Sequence, residues 1–74
     1  MEVDTLHIME IIVNGENKQV PDQYTAAKLV EDMGLTGRRI AMEVNLEIVP
    51  RSTYPEHTFQ SGDQIEIVHA VGGG

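Results

Sequence analysis

A chain of 74 residues with twelve acidic against five basic side chains has a formal net charge of −7. That length allows one small domain with a single core, and the absence of cysteine excludes disulfides, thiolate metal sites and a cysteine nucleophile. The acidic surface repels phosphate backbones, so nucleic acid is a poor partner and a positively charged protein surface is the natural counterpart, unless the acidity serves solubility alone.

Composition also bears on location. No apolar run approaches the about 18 residues of a membrane span, and the first residues lack a basic-then-apolar signal pattern. The expectation is a cytoplasmic protein with no membrane partner, and the missing cysteines agree with a reducing compartment. With no Trp and only Tyr24, Tyr54 and Phe59 aromatic, the core must come from Ile, Val, Leu and Met.

Met1 to His7 is polar without a packing period, and residues 1–8 read as a flexible N-terminal extension. Strand character begins near Ile8 and runs to Val13; alternation puts Met9, Ile11 and Val13 on the core face and Ile8, Glu10 and Ile12 on the other. Asn14-Gly15 is a hairpin signal because both residues accept positive φ. The return strand is Lys18-Gln19-Val20, closed by Pro21. Thr25 reads as an N-cap, and Ala26, Leu29, Val30 and Met33 form one apolar helical stripe. Gly34 ends this helix in a left-handed turn over which Leu35 can close. A helix of about two turns must bury its stripe against a sheet.

A third strand covers Ile40 to Val44 with Ile40, Met42 and Val44 inward. Asn45-Leu46-Glu47 makes a turn, Ile48-Val49 a short strand ended by Pro50, and Arg51 to His57 an irregular connection with room for one helical turn. Phe59 reads as a core plug, and Ser61-Gly62-Asp63 as the turn into a last strand, Gln64 to His69, with Ile65 and Ile67 inward. The resulting class is α+β: a mixed sheet with one main helix on one face, its first and last strands able to pair in parallel. The domain is expected over residues 9–71, followed by a flexible tail, residues 72–74.

Few residues suggest chemistry within the domain. His7, His57 and His69 share no metal-ligand spacing, Ser52 and Ser61 have no nearby base, and no glycine loop opens a helix to cradle phosphate. The chain is therefore expected to be no enzyme and to bind no metal or cofactor. With Ile65 and Ile67 inward, Val68 and Ala70 lie on the other face, beside Ile8, Ile12 and Ala41. An apolar patch with an acidic rim is a candidate docking surface, and His69, between strand and tail, is a candidate contact.

The tail, Val71-Gly72-Gly73-Gly74, is the other candidate. Three extended residues reach roughly 10 Å, and glycines pass a channel too narrow for side chains. A free α-carboxylate has a pKa of about 3.5, so at neutral pH it is ionised and is a poor electrophile until coupled to a good leaving group. Glycine at an end is equally the composition of a frayed terminus, and residue chemistry alone leaves both readings open.

The segment from Gly62 through His69-Ala70-Val71-Gly72-Gly73-Gly74 resembles the C-terminus of the ThiS family, the sulfur carriers of thiamine biosynthesis. Ile12-Val13-Asn14-Gly15, Val44-Asn45 and Ile48-Val49-Pro50-Arg51 agree with it, and the resemblance covers about Met9 to Gly74. It implies the ubiquitin-like β-grasp fold and a carrier role. A ThiF-like enzyme, using its own ATP and magnesium, would adenylate the Gly74 carboxylate. A persulfide donor would then convert it to a thiocarboxylate, and a ThiG-like thiazole synthase would take the sulfur. Gly73 and Gly74 carry over as the essential pair, with Gly72 and Val71 as the approach into the partner's active site. Alternatives are the small subunit of molybdopterin synthase, a ubiquitin-like protein modifier, and a β-grasp interaction domain with an inert tail.

Overall fold

Five short strands and one short helix can bury their apolar faces only against each other, and the strand order β2-β1-β5-β3-β4 shows how they do so. The computed structural model describes residues 7–69. Its elements are β1 (Ile8–Val13), β2 (Glu16–Pro21), α1 (Ala26–Asp32), β3 (Ile40–Val44), β4 (Glu47–Ile48), a 3-10 helix (Arg51–Glu56) and β5 (Gln64–His69). Strands β1 and β5 are parallel neighbours at the centre, and the other pairings are antiparallel. This is the mixed sheet with one covering helix expected of a β-grasp domain.

The alternation read from the sequence holds on each core strand. Ile11 and Val13 of β1, Ile40, Met42 and Val44 of β3, and Ile65 and Ile67 of β5 are buried. Leu29 and Ala26 of α1 meet them, and Ile11, Leu29, Met42 and Ile65 are the largest side chains fully enclosed. Phe59 is buried as expected, and so are Tyr24 and Tyr54. The connection carrying Phe59 is tied to the start of α1, where the Ala26 amide donates to the His57 carbonyl and the Phe59 amide to the Tyr24 carbonyl.

Several boundaries differ from the sequence reading. Ile8, read both as the last residue of the extension and as the start of the first strand, is the first residue of β1 and pairs with Pro21. Pro21 does not follow β2 but ends it; β2 is an edge strand, where a missing N–H costs no ladder bond. Strand β4 is Glu47–Ile48 rather than Ile48-Val49, because Asn45 (φ 53°) and Leu46 (φ 72°) complete the reversal and pairing resumes at Glu47. Val49 leaves the strand and enters the core.

Helix α1 is capped at both ends by sequence-local chemistry. The Thr25 hydroxyl accepts from the Lys28 amide at 3.1 Å. At the other end Leu35 N–H donates to the Val30 carbonyl (2.9 Å) and Gly34 N–H to the Glu31 carbonyl (3.0 Å), the paired bonds of a Schellman turn. Gly34 sits at φ +73°, which a residue with a Cβ reaches only with strain. This turn also corrects the expected stripe: Met33 is the C-cap and is exposed rather than core.

The Tyr24 hydroxyl donates to the Asp32 carboxylate across α1. Burial, and then that bond, push the Tyr24 phenol above its ordinary range; the bond in turn holds the Asp32 carboxyl below its own, with help from Lys28. A carboxyl depressed in the folded state adds stability above its unfolded pKa and loses it as pH falls through the folded value. Replacing Tyr24 by Phe is therefore expected to raise the Asp32 titration point and to shrink its acid-side contribution. An NMR titration of the Asp32 side chain reads this directly, and an unchanged midpoint would contradict it.

Candidate functional site

Residues 70–74, among them the candidate docking residue Ala70 and the tail residues Val71, Gly72, Gly73 and Gly74, lie outside the described residues. What the structure shows is how β5, the strand that leads to them, is held. On one side β3 pairs with it from Val44↔Ile65 to Ile40↔His69. On the other, β1 pairs only at Ile12↔Gln64 and Val13↔Ile65 before turning away.

Asn14 continues the ladder where β1 stops. Its backbone N–H donates to the Ile65 carbonyl at 2.8 Å, and its side-chain Oδ1 accepts from the Ile67 N–H at 2.8 Å. The residue can do both because it stands at φ 52° in the hairpin turn, which Asn tolerates. Asn45 holds the start of the same strand. Its Oδ1 accepts from Gln64 N–H at 3.0 Å, its backbone N–H donates to the Gln64 carbonyl at 2.8 Å, and its Nδ2 donates to Asp63 Oδ1 at 3.0 Å. Two turn asparagines thus hold β5 from its first residue, Gln64, as far as Ile67. Sequence reasoning took each only as a turn residue. Positive φ is legible locally, but a partner 53 positions away is not.

The expected docking residues within the described region are exposed. Val68 is 56% exposed and stands opposite Ala41, while His69 is exposed and stands opposite Ile40. The wider apolar patch is not continuous. Ile8 pairs with Pro21 at the far end of β1, whereas Val68 lies beyond the point where β1 has turned away. Ile12 pairs with Gln64, and between it and Val68 stand Glu43 and Glu66, cross-strand neighbours. Val68 and Ala41 therefore make a small apolar step at the tail end, with carboxylates behind it. His57 packs edge-on against Phe59. Among the described residues no three His, Asp or Glu side chains gather as a metal site, and no helix is long and apolar enough to cross a membrane.

A fold of this kind serves many roles, so comparison decides the family. The model of the ThiS family matches residues 8–74. The chain belongs to the ThiS family. Sulfur carrier protein ThiS of Escherichia coli (strain K12) is 32% identical over 66 residues, covering 89% of this chain and 100% of that protein. A crystal structure of the thiamine biosynthesis protein ThiS from Geobacter metallireducens superposes with a TM-score of 0.77 at 25% identity, covering 89% of this chain and all of that one. Thiazole synthases from Paramagnetospirillum magneticum and Magnetococcus marinus are 39% and 38% identical over 66 residues. This ThiS-family chain spans 20% of the length of each of those two proteins.

Proposed function

We propose that this chain is a sulfur carrier for thiazole formation in thiamine biosynthesis and that its working group is the α-carboxylate of Gly74. The observation that carries the reading is the family match, which runs through Gly73 and Gly74. The chain acts as carrier and not as catalyst; ATP and magnesium belong to the adenylating partner. One carboxylate oxygen attacks the α-phosphorus of ATP and expels pyrophosphate. The terminal sulfur of a persulfide donor then attacks the acyl carbon, and AMP leaves with the bonding pair. A thiol opens the resulting S–S bond, leaving the thiocarboxylate that thiazole synthase consumes.

The domain is the handle by which the adenylating enzyme and thiazole synthase grip a thin arm. Val71 and Gly72 form its approach, and Val68 and His69 at the end of β5, with Ala70 next in the chain, are the docking residues. Two thiazole synthases contain a segment like this chain within a longer polypeptide, which supports that enzyme as the acceptor. Tethering carrier to acceptor would raise their effective concentration without a new contact. The E. coli and G. metallireducens relatives are both ThiS proteins, which favours thiazole over molybdopterin synthesis.

Reconstitution tests the reading. Incubation with a ThiF-like enzyme, ATP, magnesium and a persulfide donor is expected to replace one oxygen of the chain by sulfur, read by intact mass. Adding thiazole synthase and its carbon substrates should return the original mass. Adducts to lysine instead, or no change while E. coli ThiS gains sulfur in the same mixture, would reject it.

A further inference from the structure

Strand β5 loses its neighbour on one side before it ends. On the β3 side it is paired as far as its last residue, Ile40↔His69. On the β1 side alternate residues are bonded: Ile12 N–H to the Asp63 carbonyl at 2.9 Å, then Asn14 N–H to the Ile65 carbonyl at 2.8 Å. In a regular parallel ladder the next bond would run from Ile67 N–H to the backbone carbonyl of Asn14. At Asn14, however, the chain has already entered the hairpin at φ 52°, and the side-chain Oδ1 accepts from Ile67 N–H instead, at 2.8 Å. The side-chain amide presents the same C=O group as a peptide, so it supplies the missing rung.

The turn itself does not need this bond. Positive φ at position 14 is open to Gly and Asp as well as Asn, and the bond to Ile65 uses only the backbone. What Oδ1 adds is a further hold on β5, beyond the point where β1 has stopped pairing with it. Among the described residues, Val68 and His69 follow that hold and are paired through β3 alone, with Ala41 and Ile40. Gly74 lies seven positions after Ile67. An extended chain spans about 24 Å over that distance, at roughly 3.4 Å per residue. A small swing at the root of so long an arm moves its tip much further, and misplacing reacting atoms by about 1 Å can slow a reaction roughly a hundred-fold.

We propose that Asn14 is a positioning residue for the carrier reaction: its Oδ1, by holding Ile67, fixes the direction in which β5 hands the chain on to the tail. That direction sets the fraction of docked carriers whose Gly74 carboxylate meets ATP in the adenylating enzyme. The role rests on the carrier reading. Asn14 touches no substrate and acts only through Ile67, so its loss lowers turnover and leaves docking of the domain unchanged.

The test compares N14G and N14D in the full chain. Both accept the turn backbone, but only N14D keeps an acceptor oxygen for Ile67 N–H. Adenylation is followed by carrier-dependent ATP–pyrophosphate exchange with a ThiF-like enzyme, with concentrations taken as folded chain from melting curves. In N14G kcat is expected to fall roughly ten-fold while KM for the carrier stays within about two-fold. N14D is expected to keep both constants within about two-fold of the parent. V20A, which removes buried side-chain atoms from edge strand β2, supplies a destabilised chain with the Asn14–Ile67 bond in place, and its kcat is expected to match the parent. NMR order parameters read the hold without any enzyme: those of the Val68 and His69 amides are expected to fall in N14G and to be kept in N14D. Unmoved Val68 and His69 amides in N14G, a kcat equal to the parent's, no recovery in N14D, or an equal loss in V20A would each overturn the positioning role. Failure of the parent chain to be adenylated while E. coli ThiS is adenylated would remove the carrier reading, and this role with it.

Discussion

Removing Gly73 and Gly74 is expected to abolish sulfur loading while leaving the thermal melt almost where it was. The shortened chain still ends in a glycine carboxylate, that of Gly72. That carboxylate, however, falls roughly 7 Å short at about 3.5 Å per residue, whereas in-line attack needs the reacting atoms within about 3.5 Å. The enclosed core side chains Ile11, Leu29, Met42 and Ile65 lie far from the deletion in sequence or are held by ladders that end at His69. The change in stability is therefore expected within about 0.5 kcal/mol. Calorimetry and loading assays on the same preparation check both halves. A large fall in Tm would make the tail structural and contradict the arm-and-handle account.

Replacing Ile65 by Ala is expected to do the opposite, taking away the fold and with it the function. Ile65 is 1% exposed and occupies the middle of the sheet, paired with Val13 on one side and Val44 on the other. Truncating a fully buried isoleucine costs about 2–5 kcal/mol. In a 74-residue domain each kcal/mol moves Tm by about 4–8 °C, so a fall of roughly 10 °C or more follows. A core this small rarely supplies more than about 3–5 kcal/mol, so much of the variant would be unfolded at growth temperature. A shift of only about 2 °C in the melt would mean that β5 is not the strand around which the core closes.

These contrasting outcomes follow from a fold whose local chemistry was legible in the chain. Alternation gave the inward faces of β1, β3 and β5, and Thr25 and Gly34 marked the ends of α1 because capping is decided within a few residues. Met33 escaped because helical periodicity counts on into the turn, while the Schellman bonds of Gly34 and Leu35 take the chain off the helix first. The start of β4 slipped by one residue because Leu46, unlike glycine, gives no sign of its left-handed backbone.

What was not legible depends on partners distant in sequence. Asn14 reaches Ile67 and Arg51 reaches Arg38 only once the sheet has formed. For the same reason Val68 and Ile8, apolar and on one face by alternation, were grouped into a patch that the register separates. The proposed working tail differs from all of these: the case for it comes from the chemistry of a glycine carboxylate and from the family match through Gly74.

The proposed carrier role turns on one atom: a Gly74 carboxylate oxygen that would be exchanged for sulfur. Intact mass spectrometry of this chain purified from its native cell during demand for thiamine tests it most directly. The prediction is a polypeptide ending at Gly74, a fraction of which has one oxygen replaced by sulfur. Fragmentation should place the change on Gly74, and thiamine supplementation should diminish the fraction. Gly74 found joined to further residues or to lysines of other proteins, or left entirely as carboxylate when thiamine is scarce, would contradict it.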